Sequence, residues 1–128
     1  MPYHYAILGS GRQGTAAAYD LAVHGDAEAI LLADLHGDAA ARSATRVNRL
    51  AGREVATAAA LDVRDTDAVV DLLRANRVDA FISGVPYFFN LPLARAAVRA
   101  QPPPAPECQP TVRPGGRSSA CRVPRAAR

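Results

Sequence analysis

The 128-residue chain contains no lysine and no tryptophan, and it has only one methionine and two cysteines. Aromatic residues make up 5%, too few for the stacking platform on which single-stranded nucleic acids are bound. Cys108 and Cys121 are separated by 12 intervening residues with no histidine nearby, which excludes a CxxC redox pair and a recognisable zinc motif. A reduced, cytoplasmic setting is therefore expected. No apolar run approaches the ~18–20 residues that span a bilayer. Residues 1–11 lack the basic start and long apolar stretch of a secretory leader, so neither a leader nor a membrane partner is expected. All 15 basic residues are arginine and alanine occurs 28 times, a bias that GC-rich codons impose.

A net charge of +3 and a pI near 9.3 raise the question of a polyanion partner. The placement of the charges answers it. Residues 1–100 carry 10 Arg against 11 Asp and Glu, whereas residues 101–128 carry 5 Arg against one Glu. That last segment also holds 7 of the 10 prolines and no Leu, Ile, Phe, Tyr or Met. With only Val112 and Val123 as large aliphatic residues, it buries too little to offset chain entropy. A disordered Pro/Arg-rich tail is expected there, and five scattered arginines make a poor nucleic-acid anchor.

Residues 1–100 read as one domain built from alternating strands and helices. Tyr3–Leu8 is an apolar run that stops at Gly9. Gly14, Ala17, Ala18, Leu21 and Ala22 then fall on one face of a helix that Gly25 ends. Residues 29–33 give a second strand, and Asp38–Ala51 a second helix with Ala40, Ala44, Val47 and Ala51 inward and Gly52 as its stop. Val55–Leu61 reads as a third strand. Asp65 or Thr66 caps a third helix that buries Val69, Leu72 and Leu73. Val78–Ser83 is the fourth strand. Asn90 and Pro92 start a fourth helix with a stripe of Leu93, Ala94, Ala97 and Val98. Strands that are apolar nearly throughout point to a parallel sheet covered on both faces. The expected fold is α/β, a Rossmann-type parallel sheet of order β-α-β-α-β-α-β-α, incomplete beside larger members of that class.

The main chemical signal is Gly9-Ser10-Gly11-Arg12-Gln13-Gly14, a GxGxxG pattern. Alone it is weak. Here it follows a strand, opens a helix, and is followed 20 residues after Gly14 by Asp34 at the end of the next strand. Gly9 permits the turn, Gly11 lets a pyrophosphate approach the backbone, and Gly14 lets the helix pack closely on the sheet. Unpaired N–H groups around Arg12 and Gln13 favour an anion. Asp34 is placed to accept hydrogen bonds from the adenosine ribose, and its charge repels a 2′-phosphate, favouring NAD over NADP. Leu35-His36-Gly37 offers no arginine to counter it; Arg12 and Arg42 are the nearest bases. The bland alternative is a glycine-rich turn with a surface aspartate.

Two further strand ends belong to the same crevice. Asp62 and Val63 are placed to meet adenine, although Asp62 serves equally well as the start of a turn. Ser83, Gly84, Val85 and Pro86 follow the fourth strand, where Gly84 permits close approach near the nicotinamide ribose. Tyr87, Phe88 and Phe89 read as core or interdomain packing. His4, His24 and His36 carry no catalytic spacing. The acids Asp62, Asp65, Asp67 and Asp71 read as a capped, solvated helix start, with no metal expected.

The segments 5–14, 31–35, 60–65 and 81–100 together resemble the saccharopine dehydrogenase family, including its lysine 6-dehydrogenase-like members. The GxGRxG loop and the strand end running into a Pro–aromatic–Asn segment carry most of the resemblance, which covers about residues 3–100. It implies an NAD(P)-binding domain of an oxidoreductase acting on amino acids or amines. Gly9, Gly11, Gly14 and Asp34 inherit the cofactor role, and Gly84, Val85 and Pro86 the loop beside the nicotinamide. In that family a fifth strand and then a catalytic and dimerisation domain follow the fourth helix. Here the composition changes abruptly at Gln101.

Three readings stay open from sequence: the cofactor-binding portion of such an enzyme without its catalytic domain, a dinucleotide-sensing regulatory module, or a non-functional truncated product. No residue of the chain is assigned a catalytic role, and its oligomeric state is not specified. The change at Gln101 is the mark that a shift of reading frame near codon 100 leaves. Translating the other two frames downstream is expected to yield a strand-like run followed by family-like sequence; neither frame doing so would remove the frameshift explanation.

Overall fold

The computed structural model describes residues 2–101. The expected disorder beyond Gln101, and the reading of Cys108 and Cys121, lie outside the described residues. Within them the elements run β1 (Tyr3–Leu8), α1 (Arg12–His24), β2 (Ala27–Asp34), α2 (Gly37–Ala51), β3 (Ala56–Ala60), α3 (Thr66–Ala75), β4 (Ala80–Ser83) and α4 (Asn90–Ala100). A single 3-10 turn at Tyr87–Phe89 leads into α4. The alternation matches the one expected from the sequence. Among the described residues no helix is long and apolar enough to cross a membrane.

The sheet has the order β3-β2-β1-β4, and every pairing is parallel. Successive strand residues point to opposite faces. Ala6, Leu8, Leu31 and Ala33 therefore meet Val69, Val70 and Leu73 of α3 and Leu93 and Ala96 of α4. On the other face, Ile7, Ile30 and Leu32 meet Ala18 and Ala22 of α1 and Ala44 and Val47 of α2. The central strands are apolar at nearly every position because both faces are covered. Each edge strand is shorter and more exposed, which is why the alanine-rich β3 is tolerated.

Local chemistry fixes the element ends. The Asp65 carboxylate accepts the Ala68 N–H at 3.1 Å, so Asp65 rather than Thr66 caps α3. Gly52 closes α2 with a left-handed φ of 72°, its N–H bonded to the Asn48 carbonyl. Asn48 then reaches β3. Its side-chain oxygen accepts the N–H groups of Val55 at 2.9 Å and Ala56 at 2.7 Å, and its amide donates to the Ala56 carbonyl. The Arg53 guanidinium donates to the carbonyls of Ala22 and Ala27, satisfying the end of α1 and the start of β2.

The structure corrects two inward faces. In α3, Val70 is buried beside Val69 and Leu73, while Leu72 is only partly covered. In α4 the inward residues are Leu93 and Ala96, flanked by Ala97 and Ala100. Ala94 is exposed, and Val98 is 70% exposed. The hydrophobicity of Val98 points the sequence reading to the wrong phase; α4 instead approaches α3 through small alanines. Leu93→Ala is expected to cost about 2–4 kcal/mol in urea denaturation followed by circular dichroism, and Val98→Ala less than about 0.5 kcal/mol. Equal costs would place α4 in the other phase.

Candidate functional site

From β1 the chain steps outward through β2 to β3, and α3 then carries it back to β4 on the far side of β1. The loops after β1 and β4 therefore leave the sheet in opposite directions, which opens a crevice outside the carboxyl ends of the strands. A cavity of about 320 Å³ lies there, lined by Gly9, Asp34, Leu61, Asp62, Val63, Val85, Pro86 and Phe89 among others. Six of the residues singled out from sequence are thus brought together. Ser10, Gly11 and Arg12 line a neighbouring groove of about 560 Å³ between α1 and α2. Gln13 is exposed in the first turn of α1.

Four glycines near the crevice have different reasons to be glycine. Gly9 adopts a φ of +101°, and a Cβ on it would stand 2.9 Å from the Gly84 backbone. A Cβ on Gly14 would fall 2.0 Å from the Gly9 carbonyl oxygen. One on Gly84 would lie 3.2 Å from the carbonyl oxygens of both Gly9 and Leu8. The close neighbour of Gly84 is thus the first loop. At Gly11 a Cβ would meet nothing within 4 Å. Packing requires the other three, whereas Gly11 presents bare backbone to open space.

The start of α1 has no side-chain cap and no acid in its first turn. The N–H groups of Gly11, Arg12 and Gln13 have no acceptor among the described residues. Such a terminus favours an anion through both its free donors and its dipole.

Asp34 is held to the same loop. One carboxylate oxygen accepts the Ser10 N–H at 2.9 Å and the Ser10 hydroxyl at 3.0 Å, and the other accepts the His36 N–H at 3.0 Å. Partial burial pushes this carboxyl up. The donated bonds from the His36 and Ser10 backbones and the Ser10 hydroxyl, with the charge of His36, outweigh it and hold Asp34 below the ordinary range. Asp62 is paired with Arg64 at 2.8 Å, and its backbone carbonyl accepts the Asp65 N–H, so it does begin a turn while lining the crevice.

Other sequence candidates fall elsewhere. His4 sits at the amino end of the strands, its ring nitrogens 3.1 Å from Glu28 and 3.2 Å from the Asn76 carbonyl, so it braces the end opposite the crevice. Asp67 pairs with Arg99. Among the described residues no cluster of His, Cys, Asp and Glu suits a metal ion. Tyr87 and Phe88 are exposed at 84% and 63%, and only Phe89 joins the core.

Sequence reasoning missed Thr15, Ser43 and Arg46. Thr15 and Ser43 both bond the Ser10 carbonyl, and Arg46 joins Arg12 and Arg42 along the α1–α2 groove. None of these three arginines has a carboxylate partner among the described residues. Contacts across 28 and 33 positions leave no local spacing to read.

Because the folded carboxyl of Asp34 lies below its ordinary value of 3.8, its contribution to stability is present above that pH. The contribution is lost as pH falls through the lower folded value. Asp34→Asn is therefore expected to flatten the fall in stability below about pH 4, measured by denaturant titration across pH. An unchanged slope would show that Asp34 is not held by these bonds.

The model of the saccharopine dehydrogenase NADP binding domain matches residues 5–102. No curated protein matches the chain. Among solved structures, the chain is similar to quinate dehydrogenase from Corynebacterium glutamicum in complex with NAD. That match has 26% identity and a TM-score of 0.56, over 67% of this chain and 28% of the other. It is equally similar in sequence to apo saccharopine dehydrogenase (L-Glu forming) from Saccharomyces cerevisiae, with 26% identity and a TM-score of 0.58 over 77% of this chain and 20% of that one. UDP-glucose-4-epimerase from Stenotrophomonas maltophila with bound NAD shares the fold, at 18% identity and a TM-score of 0.63, over 77% of this chain and 34% of that one. The chain thus spans about a third or less of the length of each. With the family domain covering residues 5–102, the chain belongs to the saccharopine dehydrogenase family through its NAD(P)-binding domain.

Proposed function

We propose that residues 1–100 hold the dinucleotide of an oxidoreductase acting on C–N bonds of amino acids or amines, and that residues 101–128 form a segment apart from this unit. The observation that carries the reading is the joint placement of Asp34, the bare backbone of Gly11 and the uncapped start of α1. In this reading the N–H groups of Gly11, Arg12 and Gln13 hold the pyrophosphate, with Gly9, Ser10 and Gly14 shaping the turn that presents them. Asp34 accepts the adenosine ribose hydroxyls, while Val63 and Asp62 border the adenine. Gly84, Val85 and Pro86 border the nicotinamide ribose.

The crevice fits such a group. Its apolar walls of Leu61, Val63, Val85 and Phe89 suit flat rings, and its acceptor and donors lie on the adjoining loop. When bound, the nicotinamide supplies hydride transfer; the protein supplies binding and orientation. Asp62 is neutralised by Arg64, and His4 lies at the opposite end of the strands. These residues therefore bind and orient, and groups acting on the substrate come from outside residues 1–100. The 128-residue chain by itself is a binder without turnover.

Cofactor preference turns on charge. The Asp34 carboxylate disfavours a 2′-phosphate, so NAD is the preferred form. Arg12, Arg42 and Arg46 line the adjoining groove and temper that preference by offering opposite charge. Calorimetry with the 128-residue chain is expected to show one site per chain for NAD and NADH, with NADP weaker. Gly11→Asp is expected to abolish binding at unchanged thermal stability, because the added carboxylate enters open space that the pyrophosphate needs. Wild-type chain that binds none of these would overturn the reading, and lysine- or saccharopine-dependent reduction of NAD would contradict the absence of turnover.

A further inference from the structure

Ser10 is the most buried polar residue of the glycine loop, with 6% of its surface exposed. Both sides of its backbone are tied to different elements. Its N–H and hydroxyl go to Asp34 at the end of β2. Its carbonyl oxygen accepts the Thr15 hydroxyl of α1 at 3.2 Å and the Ser43 hydroxyl of α2 at 3.0 Å. Thr15 has one hydroxyl hydrogen, which it shares between this carbonyl and the Ser43 hydroxyl oxygen at 3.0 Å. Ser43 thereby spends its hydrogen on Ser10 and a lone pair on Thr15, and its hydroxyl bonds no other group among the described residues.

A trans peptide is planar, with its C=O and N–H pointing in opposite directions. Fixing the Ser10 carbonyl therefore fixes the direction of the Gly11 N–H. With the carbonyl turned to the hydroxyls of α1 and α2, that N–H is aimed the other way. It has no acceptor among the described residues, and no side chain stands in front of it at Gly11. Without the two hydroxyls, the Ser10 carbonyl would have no partner among the described residues, and the Ser10–Gly11 peptide would be held only through its neighbours, the Ser10 N–H and hydroxyl on Asp34 and the Gly11 carbonyl on the Thr15 N–H.

We infer that Ser43 and Thr15 are positioning residues for pyrophosphate: by clamping the Ser10 carbonyl they hold the Gly11 N–H ready for a diphosphate oxygen. This rests on the dinucleotide reading above. It adds a contribution from α2, an element that touches no pyrophosphate oxygen in that reading, and makes the diphosphate rather than the nucleoside the part of the ligand that Ser43 affects.

The test uses the 128-residue chain, its Ser43→Ala and Thr15→Ala variants, and Ser43→Thr as the conservative replacement. Affinities for NAD and ADP are measured by calorimetry and for adenosine by NMR titration, with the Gly11 amide signal followed in the free proteins. Ser43→Ala is expected to weaken NAD and ADP by about fivefold, the scale of one lost neutral hydrogen bond, and to leave adenosine unchanged. Ser43→Thr is expected to restore the affinity. The Gly11 amide signal should shift or broaden in Ser43→Ala and return in Ser43→Thr. Equal weakening of NAD and adenosine, or NAD affinity within twofold of wild type, would overturn the positioning role while leaving dinucleotide binding intact. Wild-type chain that binds neither NAD nor ADP would instead remove the dinucleotide reading, and the positioning role with it.

Discussion

Three backbone segments meet at one point with no side chain between them: the end of β1 at Gly9, the first turn of α1 at Gly14, and the end of β4 at Gly84. A methyl group on Gly14 would overlap the Gly9 carbonyl oxygen at 2.0 Å, a separation no rearrangement of side chains relieves. The height and tilt of α1 over the sheet follow from this contact, as does the distance between the β1 and β4 loops. So does the direction in which the unpaired N–H groups of α1 face. The apolar layers on either side stabilise the sheet, but the glycine contact sets how the helix start is presented at the crevice.

The polar groups around that point form a connected arrangement. Asp34 binds Ser10, and Ser10 binds Thr15 and Ser43, so β2, the glycine loop, α1 and α2 are joined through one residue. Preorganised donors retain more of their binding energy than donors that must be ordered by the ligand. The same bonds that lower the Asp34 carboxyl also place its oxygens, so one set of contacts governs both the charge and the geometry of the acceptor. The adjoining Arg12, Arg42 and Arg46 line the groove between α1 and α2.

The order of elements was legible because strands buried on both faces read as short apolar runs, and because Gly9, Gly25, Gly52 and Asp65 punctuate them by known conformational rules. The glycine loop and Asp34 were legible because their separation is fixed by one strand–helix–strand unit. Helix phase was less so. Val98 is apolar yet exposed, while alanines carry the α4 contact, and hydrophobicity alone does not rank alanine against valine correctly when close approach decides. The hydroxyls of Thr15 and Ser43 left no signal, since their partner lies on another element and serine is ordinary on any helix surface. The packing partner of Gly84 left no signal either, because it is a distant segment of backbone.

The brace around His4 has a mechanical meaning. It joins β1 to Glu28 of β2 and to the carbonyl of Asn76, while the His4 N–H reaches Asp79 just before β4. Three adjacent strands are thereby fastened at their amino ends. At the carboxyl ends the same strands are held by the ladder through Leu8, Ala33 and Ser83 and by the packing of Gly9 on Gly84, so the sheet is fastened at both ends. The loops that border the crevice therefore leave from fixed points on both of its walls.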